Sequence, residues 1–244
     1  VPFLAAGVIS LFNLVFGFLV LQESLTAENQ RPFELKRSNP VGTVLQLKKF
    51  PLVIGIIIVS FLYNIGHHVL PATWSFFTIE KFAWTPRDIG LSLMFIGICM
   101  ALVQGFLIRW VIPRTGLRWA GIIGMSFTAI AFLGYGTAAA PWMMYAAMIP
   151  GALGALGGPA MQGIASAQVD ANQQGELQGG LSSTMSLTSI ISPLMMTQVF
   201  AYFTESQTDH YFPGAAFILA MLLTLAALTV FISITRTKAT IPLT

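Results

Sequence analysis

The sequence predicts an all-α fold: a polytopic transmembrane helical bundle of seven spans. Three observations predict it. Of the 244 residues, 55% are hydrophobic and only 9% are charged, against about 25% charged in an ordinary soluble domain. The nine acids (Glu23, Glu28, Glu34, Glu80, Asp88, Asp170, Glu176, Glu205 and Asp209) all lie in polar breaks or at their edges. A charge at a bilayer centre costs roughly 2.5–3.5 kcal/mol on insertion scales, so a chain written for lipid excludes acids from its apolar runs. The Lys and Arg residues, finally, collect on alternate breaks.

A span needs about 20 mostly apolar residues. The first runs from Val1 to Leu21 and is followed by a polar, Pro-interrupted linker, Gln22–Lys49. Phe50–Ile79 is the second span, and the link Glu80–Asp88 leads to the third, Ile89–Ile112. Pro113–Arg118 reads as a tight basic turn before the fourth, Trp119–Ala138. After Ala139–Pro141 comes the fifth, Trp142–Val169, then polar Asp170–Glu176 and the sixth, Leu177–Phe203. Thr204–Pro213 precedes the seventh, Gly214–Thr235, and 236–244 is a tail.

Cytoplasmic loops collect Lys and Arg. The linker holds Arg31, Lys36, Arg37, Lys48 and Lys49. The basic turn holds Arg114 and Arg118, with Arg109 just above, and the tail holds Arg236 and Lys238. The opposing links hold only Lys81 and Arg87. The expected orientation puts residue 1 outside and the C-terminus in the cytoplasm. Val1 opens directly into an apolar run without a charged n-region, so no signal peptide is expected, and the chain reads as the downstream part of something longer. Divided that way, 1–21 is the last span of an N-terminal half, 22–49 a central cytoplasmic loop, 50–235 a six-helix bundle and 236–244 a cytoplasmic tail. The six later spans form two triplets of opposite orientation, the nested repeat of many transporters.

Polar groups left inside apolar runs are the candidate functional residues. In the second span, Asn64, His67 or His68, and Pro71 share one helical face, with Trp74 a turn further on. Gly66 and Pro71 loosen the backbone there, and freed backbone groups must face protein or a watery cavity. An imidazole changes charge near neutral pH, so His67 or His68 is a candidate for substrate binding or titration; a His hydrogen-bonded to a neighbouring helix is the structural alternative. Consecutive histidines point about 100° apart, so one of the two at most faces a cavity centre. The pair lacks further ligands at suitable spacing, so no metal is expected, and Cys99 has no disulfide partner in the chain.

In the fifth span, Gly154 and Gly158 form a GxxxG followed by Pro159, with Gln162 the amide that reaches furthest. Such a segment serves close helix packing or, as a Gly/Pro-broken helix at the same position of each triplet, a binding site. The sixth span carries Gln178, Ser182, Ser186, Ser189 and Pro193 on one face, and the third a single amide, Gln104. Spans two, three, five and six are the expected cavity walls. No nucleophile–base pair argues for an enzyme, and no Lys/Arg run alternating with aromatics argues for nucleic acid.

The stretch Gly157-Gly-Pro-Ala-Met-Gln162, Gln174-Gly-Glu-Leu-Gln178-Gly179 and Ser186-Leu-Thr-Ser-Ile-Ile-Ser-Pro193 resembles the C-terminal half of the tetracycline-efflux family, proton-coupled drug antiporters of the major facilitator superfamily. Pro71-Ala-Thr-Trp74, Gly90-Leu-Ser-Leu93, and Pro2-Phe-Leu-Ala-Ala6 with Asn13, Gly17 and Glu23-Ser24 match as well. The resemblance implies spans six to twelve of a twelve-span exporter in the bacterial cytoplasmic (inner) membrane. It further implies a drug-like substrate, protons as co-substrate, no cofactor, and the N-terminal half of the same transporter as partner. It makes Pro113-Arg114-Thr-Gly116-Leu-Arg118 a gating turn that lacks the family's acid, and puts Met100 where the family carries a third-span His. Transport of a metabolite, or a non-transporting scaffold or receptor, stays open on the residues alone.

Overall fold

The computed structural model describes residues 2–20, 49–205 and 210–236. The expected linker, except Lys49, and the tail beyond Arg236 lie outside the described residues. Helix α1 covers Pro2–Val20 and belongs to one compact unit; everything described from Lys49 onward belongs to a second. In the second unit the helices are α2 (Pro51–His67), α3 (Val69–Phe82), α4 (Pro86–Leu102), α5 (Ile108–Thr137), α6 (Pro141–Leu153), α7 (Gly157–Ser166), α8 (Gln174–Thr204) and α9 (Ala215–Arg236). A π-helical segment, Val103–Leu107, joins α4 to α5, and a 3-10 turn, Gly154–Leu156, joins α6 to α7. No strand occurs among the described residues.

Proline opens α2, α4 and α6 at their first positions, where the missing N–H would have no intrahelical partner in any case. At α4 the opening is reinforced by a capping box. The Asp88 N–H donates to the Thr85 hydroxyl at 3.4 Å, and the Asp88 carboxylate accepts from the Thr85 N–H at 2.9 Å. Among the described residues, four helical stretches are long and apolar enough to cross a membrane: Pro51–Phe82, Pro86–Thr137, Ala171–Thr204 and Ala215–Arg236. Ile58, Phe76, Ile130, Ile190 and Leu194 stand exposed on their outer faces, as a lipid solvent permits.

The second span is broken at His68, between α2 and α3. Pro71 has no N–H to offer the His67 carbonyl, which loosens the turn. One turn before the break, the Ile65 carbonyl accepts the Ser192 hydroxyl of α8 at 2.6 Å. Opposite, Gly66 lies so near α9 that a Cβ would stand 3.0 Å from the Ala220 carbonyl oxygen.

Pro86–Thr137 measures 52 residues, about 78 Å if straight. It is not straight. Phe95 packs its ring against Tyr145 at 5.4 Å, while a Cβ on Gly134 would touch Ala147 at 2.7 Å. Residues 95 and 134 would be about 58 Å apart on one rod, so the chain folds back between them. The reversal is at Gly116, φ 75° and ψ 160°. The expected turn over Pro113–Arg118 thus contracts to one residue, with helix on both sides, because only glycine occupies that backbone region without strain. Gly116→Ala is expected to cost roughly 1–3 kcal/mol and to lower the thermal midpoint of the detergent-solubilised protein by several degrees.

Two buried clusters flank the middle of the bundle. Trp74, Phe77, Phe132, Tyr135 and Phe217 anchor one, and Val53, Ile56, Met125, Ile164 and Phe231 the other. Between them α5 crosses α6–α7. Gly124, Thr128, Ala131 and Tyr135 face Gly157, Gly154 and Gly151: a Cβ on Gly124 would meet the Gly157 nitrogen at 2.5 Å, one on Gly151 the Tyr135 hydroxyl at 2.9 Å, and one on Gly154 would collide with the Thr128 hydroxyl. The 3-10 turn has three residues per turn, which brings glycines at intervals of three into one line. Of the GxxxG pair, Gly154 packs against α5 within this unit, and Gly158 is exposed with nothing within 4 Å of a Cβ.

Candidate functional site

A cavity of about 430 Å³ opens in the second unit, with His67, Pro71 and Trp74 in one wall, Leu93 and Met100 in another, and Thr128, Phe132, Tyr135, Met148 and Gly151 opposite. Four segments contribute: the broken α2–α3 pair, α4, the second part of α5, and α6. The break at His68 sets His67 at the end of one helix and Pro71 and Trp74 on the next.

Aromatic contacts hold the walls. His67 stacks on Tyr63 with ring centroids 5.7 Å apart and meets the edge of Phe132 at 6.4 Å. Trp74 lies edge-on to Tyr135 at 5.3 Å and to Phe217 at 6.4 Å. Its Nε1–H donates to the Ser92 hydroxyl at 3.1 Å, and Ser92 donates in turn to the Ile89 carbonyl at 2.7 Å. The indole is thereby fixed between α3 and α4. Behind His67, the hydroxyls of Tyr63 and Thr128 are 3.2 Å apart, which ties α2 to α5. The lining contains no carboxylate. Its rings suit a flat, largely apolar molecule, and its polar groups (the His67 imidazole and the Ser75, Thr128 and Tyr135 hydroxyls) supply orientation.

The other expected pathway residues lie elsewhere. Asn64 is half-buried and outside the lining, and His68 sits in the helix break with its Nε2 buried and without a hydrogen-bond partner. Gln104, Gln162 and Ser186 are exposed. Each has a local reason. In the π segment Val103 takes the buried position beside Gln104. In α7 the buried face belongs to Ala160, Met161, Ile164 and Ala165. In α8 Gly180, Thr184, Thr188, Ser192 and Met196 form the buried row at intervals of four, leaving Gln178, Ser182, Ser186 and Ser189 opposite. Pro159 is exposed and Pro193 half-buried. So the fourth span, which sequence reasoning passed over, walls the cavity where the sixth was expected. The row Gly124, Thr128, Ala131, Tyr135 at helical spacing was the available signal.

At the Gly116 reversal, the Arg114 guanidinium lies 4.0 Å from the centre of the Trp110 ring and donates to the Trp110 carbonyl at 3.2 Å. Arg118 donates through Nε to the Thr235 hydroxyl at 3.3 Å, joining the turn to the end of α9. At the opposite end of α9, the Tyr211 hydroxyl donates to Glu80 at 2.9 Å. Desolvation, then the bond to Glu80 and its charge, push that phenol above its ordinary pKa, so it keeps its proton and remains a donor.

Comparison with known proteins bears on this arrangement. Residues 69–243 match the family model described as Major Facilitator Superfamily. The chain is 38% identical over 200 residues to a tetracycline resistance protein of class C from Escherichia coli, an alignment covering 82% of this chain and 50% of that protein. It is 30% identical over 219 residues to the class D tetracycline resistance protein of Salmonella ordonez, covering 89% and 53%. It is 22% identical over 251 residues to the human Hippocampus abundant transcript 1 protein, covering 92% and 51%. The chain spans about half the length of the curated relatives it matches.

Proposed function

Because the chain belongs to the Major Facilitator Superfamily, we propose that it forms the C-terminal part of an exporter that extrudes a flat, drug-like molecule, a tetracycline-like antibiotic among the candidates, in exchange for protons. The observation that carries this reading is the aromatic cavity of about 430 Å³ with His67 in its wall. It has the size and the apolar lining, with a few convergent polar groups, of a small-molecule site. The similarity to tetracycline resistance proteins supports the substrate class.

In this reading the chain crosses the membrane seven times. α1 is the last span of the N-terminal half, 22–49 the central cytoplasmic loop, 50–235 the six-span C-terminal bundle and 236–244 the cytoplasmic tail. Residue 1 lies outside and the C-terminus in the cytoplasm of a bacterial inner membrane, supported by the placement of Arg114, Arg118 and Arg236 on alternate links. Transport proceeds by alternating access: the two halves rock about a site between them, so this chain supplies one wall and the remainder of the protein the other. Arg114, Gly116 and Arg118 form the turn about which gating is organised. His67 binds substrate or carries a proton, and Gln104, Gln162 and Ser186 face the partner half.

The test is drug accumulation in cells carrying the whole gene. Cells should hold several-fold less tetracycline than controls, and an uncoupler should abolish the difference. Replacing His67 and His68 together should reduce export or shift its dependence on pH between about 6 and 8. The isolated chain, reconstituted, should move no drug. Accumulation insensitive to the gene and to the uncoupler would overturn the efflux reading.

A further inference from the structure

The helical segment before the Gly116 reversal carries an amphiphilic stripe that the cavity does not use. Leu102, Phe106, Trp110 and Arg114 follow one another at intervals of four across the end of α4, the π segment and the start of α5. The three apolar members are 55%, 74% and 59% exposed, and Arg114 is exposed. Together with Val103 and Leu107 the three apolar members line an open apolar groove. A π segment inserts an extra residue per turn and disturbs the regular helical surface, and such segments concentrate at functional sites.

Trp110 belongs to both ends of the stripe. It closes the groove, and its ring carries the Arg114 guanidinium 4.0 Å from its centre. The bond from Nη1 to the Trp110 carbonyl fixes the guanidinium at the groove's mouth. Arg109 is exposed as well, and among the described residues neither arginine pairs with a carboxylate. From Leu102 to Arg114 the rise is about 18 Å, close to half the roughly 30 Å hydrocarbon thickness of a bilayer. The stripe thus has the length of one acyl chain and ends in positive charge where a headgroup would lie.

We propose that this stripe is a binding site for one anionic phospholipid. An acyl chain lies along Leu102, Phe106 and Trp110, and the phosphate meets Arg114. A phosphodiester accepts the two-pronged hydrogen bonding of a guanidinium, and the indole holds that cation at interfacial depth. The proposal rests on the chain being a membrane protein and not on any drug as its substrate, so either reading can fail without the other.

The test uses the full chain in phosphatidylcholine vesicles containing phosphatidylglycerol, with bromine on the acyl chains of one lipid or the other. Bromine quenches nearby indoles, and the difference between the protein and Trp110→Phe isolates Trp110. Trp110 should report a several-fold preference for phosphatidylglycerol. Arg114→Ala should reduce that preference about fivefold, the ratio expected for one basic residue at a membrane surface, and Arg114→Lys should keep most of it. Equal quenching by both lipids, or a preference unchanged in Arg114→Ala while circular dichroism shows a native helix content, would overturn the site. Quenching by neither lipid would mean that protein covers the groove, and overturns it too.

Discussion

Gly124→Ala is expected to lower the thermal midpoint of the solubilised protein by roughly 2–8 °C, while Gly158→Ala leaves it unchanged or raises it by up to about 4 °C. The two glycines lie on helices that cross, and composition treats them alike. Around Gly124 a Cβ would stand 2.5 Å from the Gly157 nitrogen and 2.9 Å from its Cα. Those are backbone atoms, so no side-chain rotamer relieves the clash and the helices must part. Overpacking of this kind costs about 1–3 kcal/mol, and alanine's better helix propensity returns at most about 1 kcal/mol. Parting the helices would also disturb Thr128, which bonds Tyr63 behind the cavity. At Gly158 nothing lies within 4 Å, so only the propensity gain remains. Fluorescence-detected size-exclusion thermostability reads both variants, and equal shifts would refute the crossing described for α5 and α6–α7.

The second large effect concerns Trp74. Trp74→Ala should destabilise the chain by about 3–5 kcal/mol, the usual cost of truncating a buried large aromatic, and the midpoint should fall by roughly 6–20 °C, on the order of 2–4 °C per kcal/mol. The indole is 6% exposed and touches Tyr135, Phe217 and Trp84 edge-on. Trp74→Phe separates two contributions. It keeps a ring but leaves Ser92 without the Nε1–H donor, a loss of about 1 kcal/mol. If the whole protein exports a drug as proposed, Trp74→Phe should retain the protein in the membrane yet lower drug resistance, because the cavity wall changes shape. Full resistance with Trp74→Ala at normal protein level would remove this cavity from the pathway.

The apolar segments were legible because lipid imposes a long-range rule on composition: acids outside, apolar runs of span length inside. The loosened backbone around Gly66–Pro71 and a turn near Gly116 were legible for local reasons. The cavity was only half legible. His67, Pro71 and Trp74 could be found because one broken helix presents them together. Thr128, Phe132 and Tyr135 come from the arm of α5 beyond Gly116, which carries no further break and no charge after Arg118, and their place depends on the 3-10 turn that moves the glycine line from spacing four to spacing three. Gln104, Gln162 and Ser186 illustrate a different limit. The rule that polar groups in a span face protein does not say which protein, and in this unit the inward positions are taken by Val103, by Ala160 and Met161, and by Thr184 and Thr188.

The one-residue reversal at Gly116 also constrains biosynthesis. About 30 helical residues precede it and about 20 follow, each near the length of a bilayer crossing, and no loop separates them. Neither arm has slack to enter the membrane before the other. The pair is suited to leave the insertion machinery together as a helical hairpin; in the proposed orientation Arg114 and Arg118 hold its apex at the side where synthesis occurs. Lengthening the apex with a flexible insert would uncouple the two arms, so the fault to look for is mis-threading of newly made chains, even where the finished fold tolerates the insert.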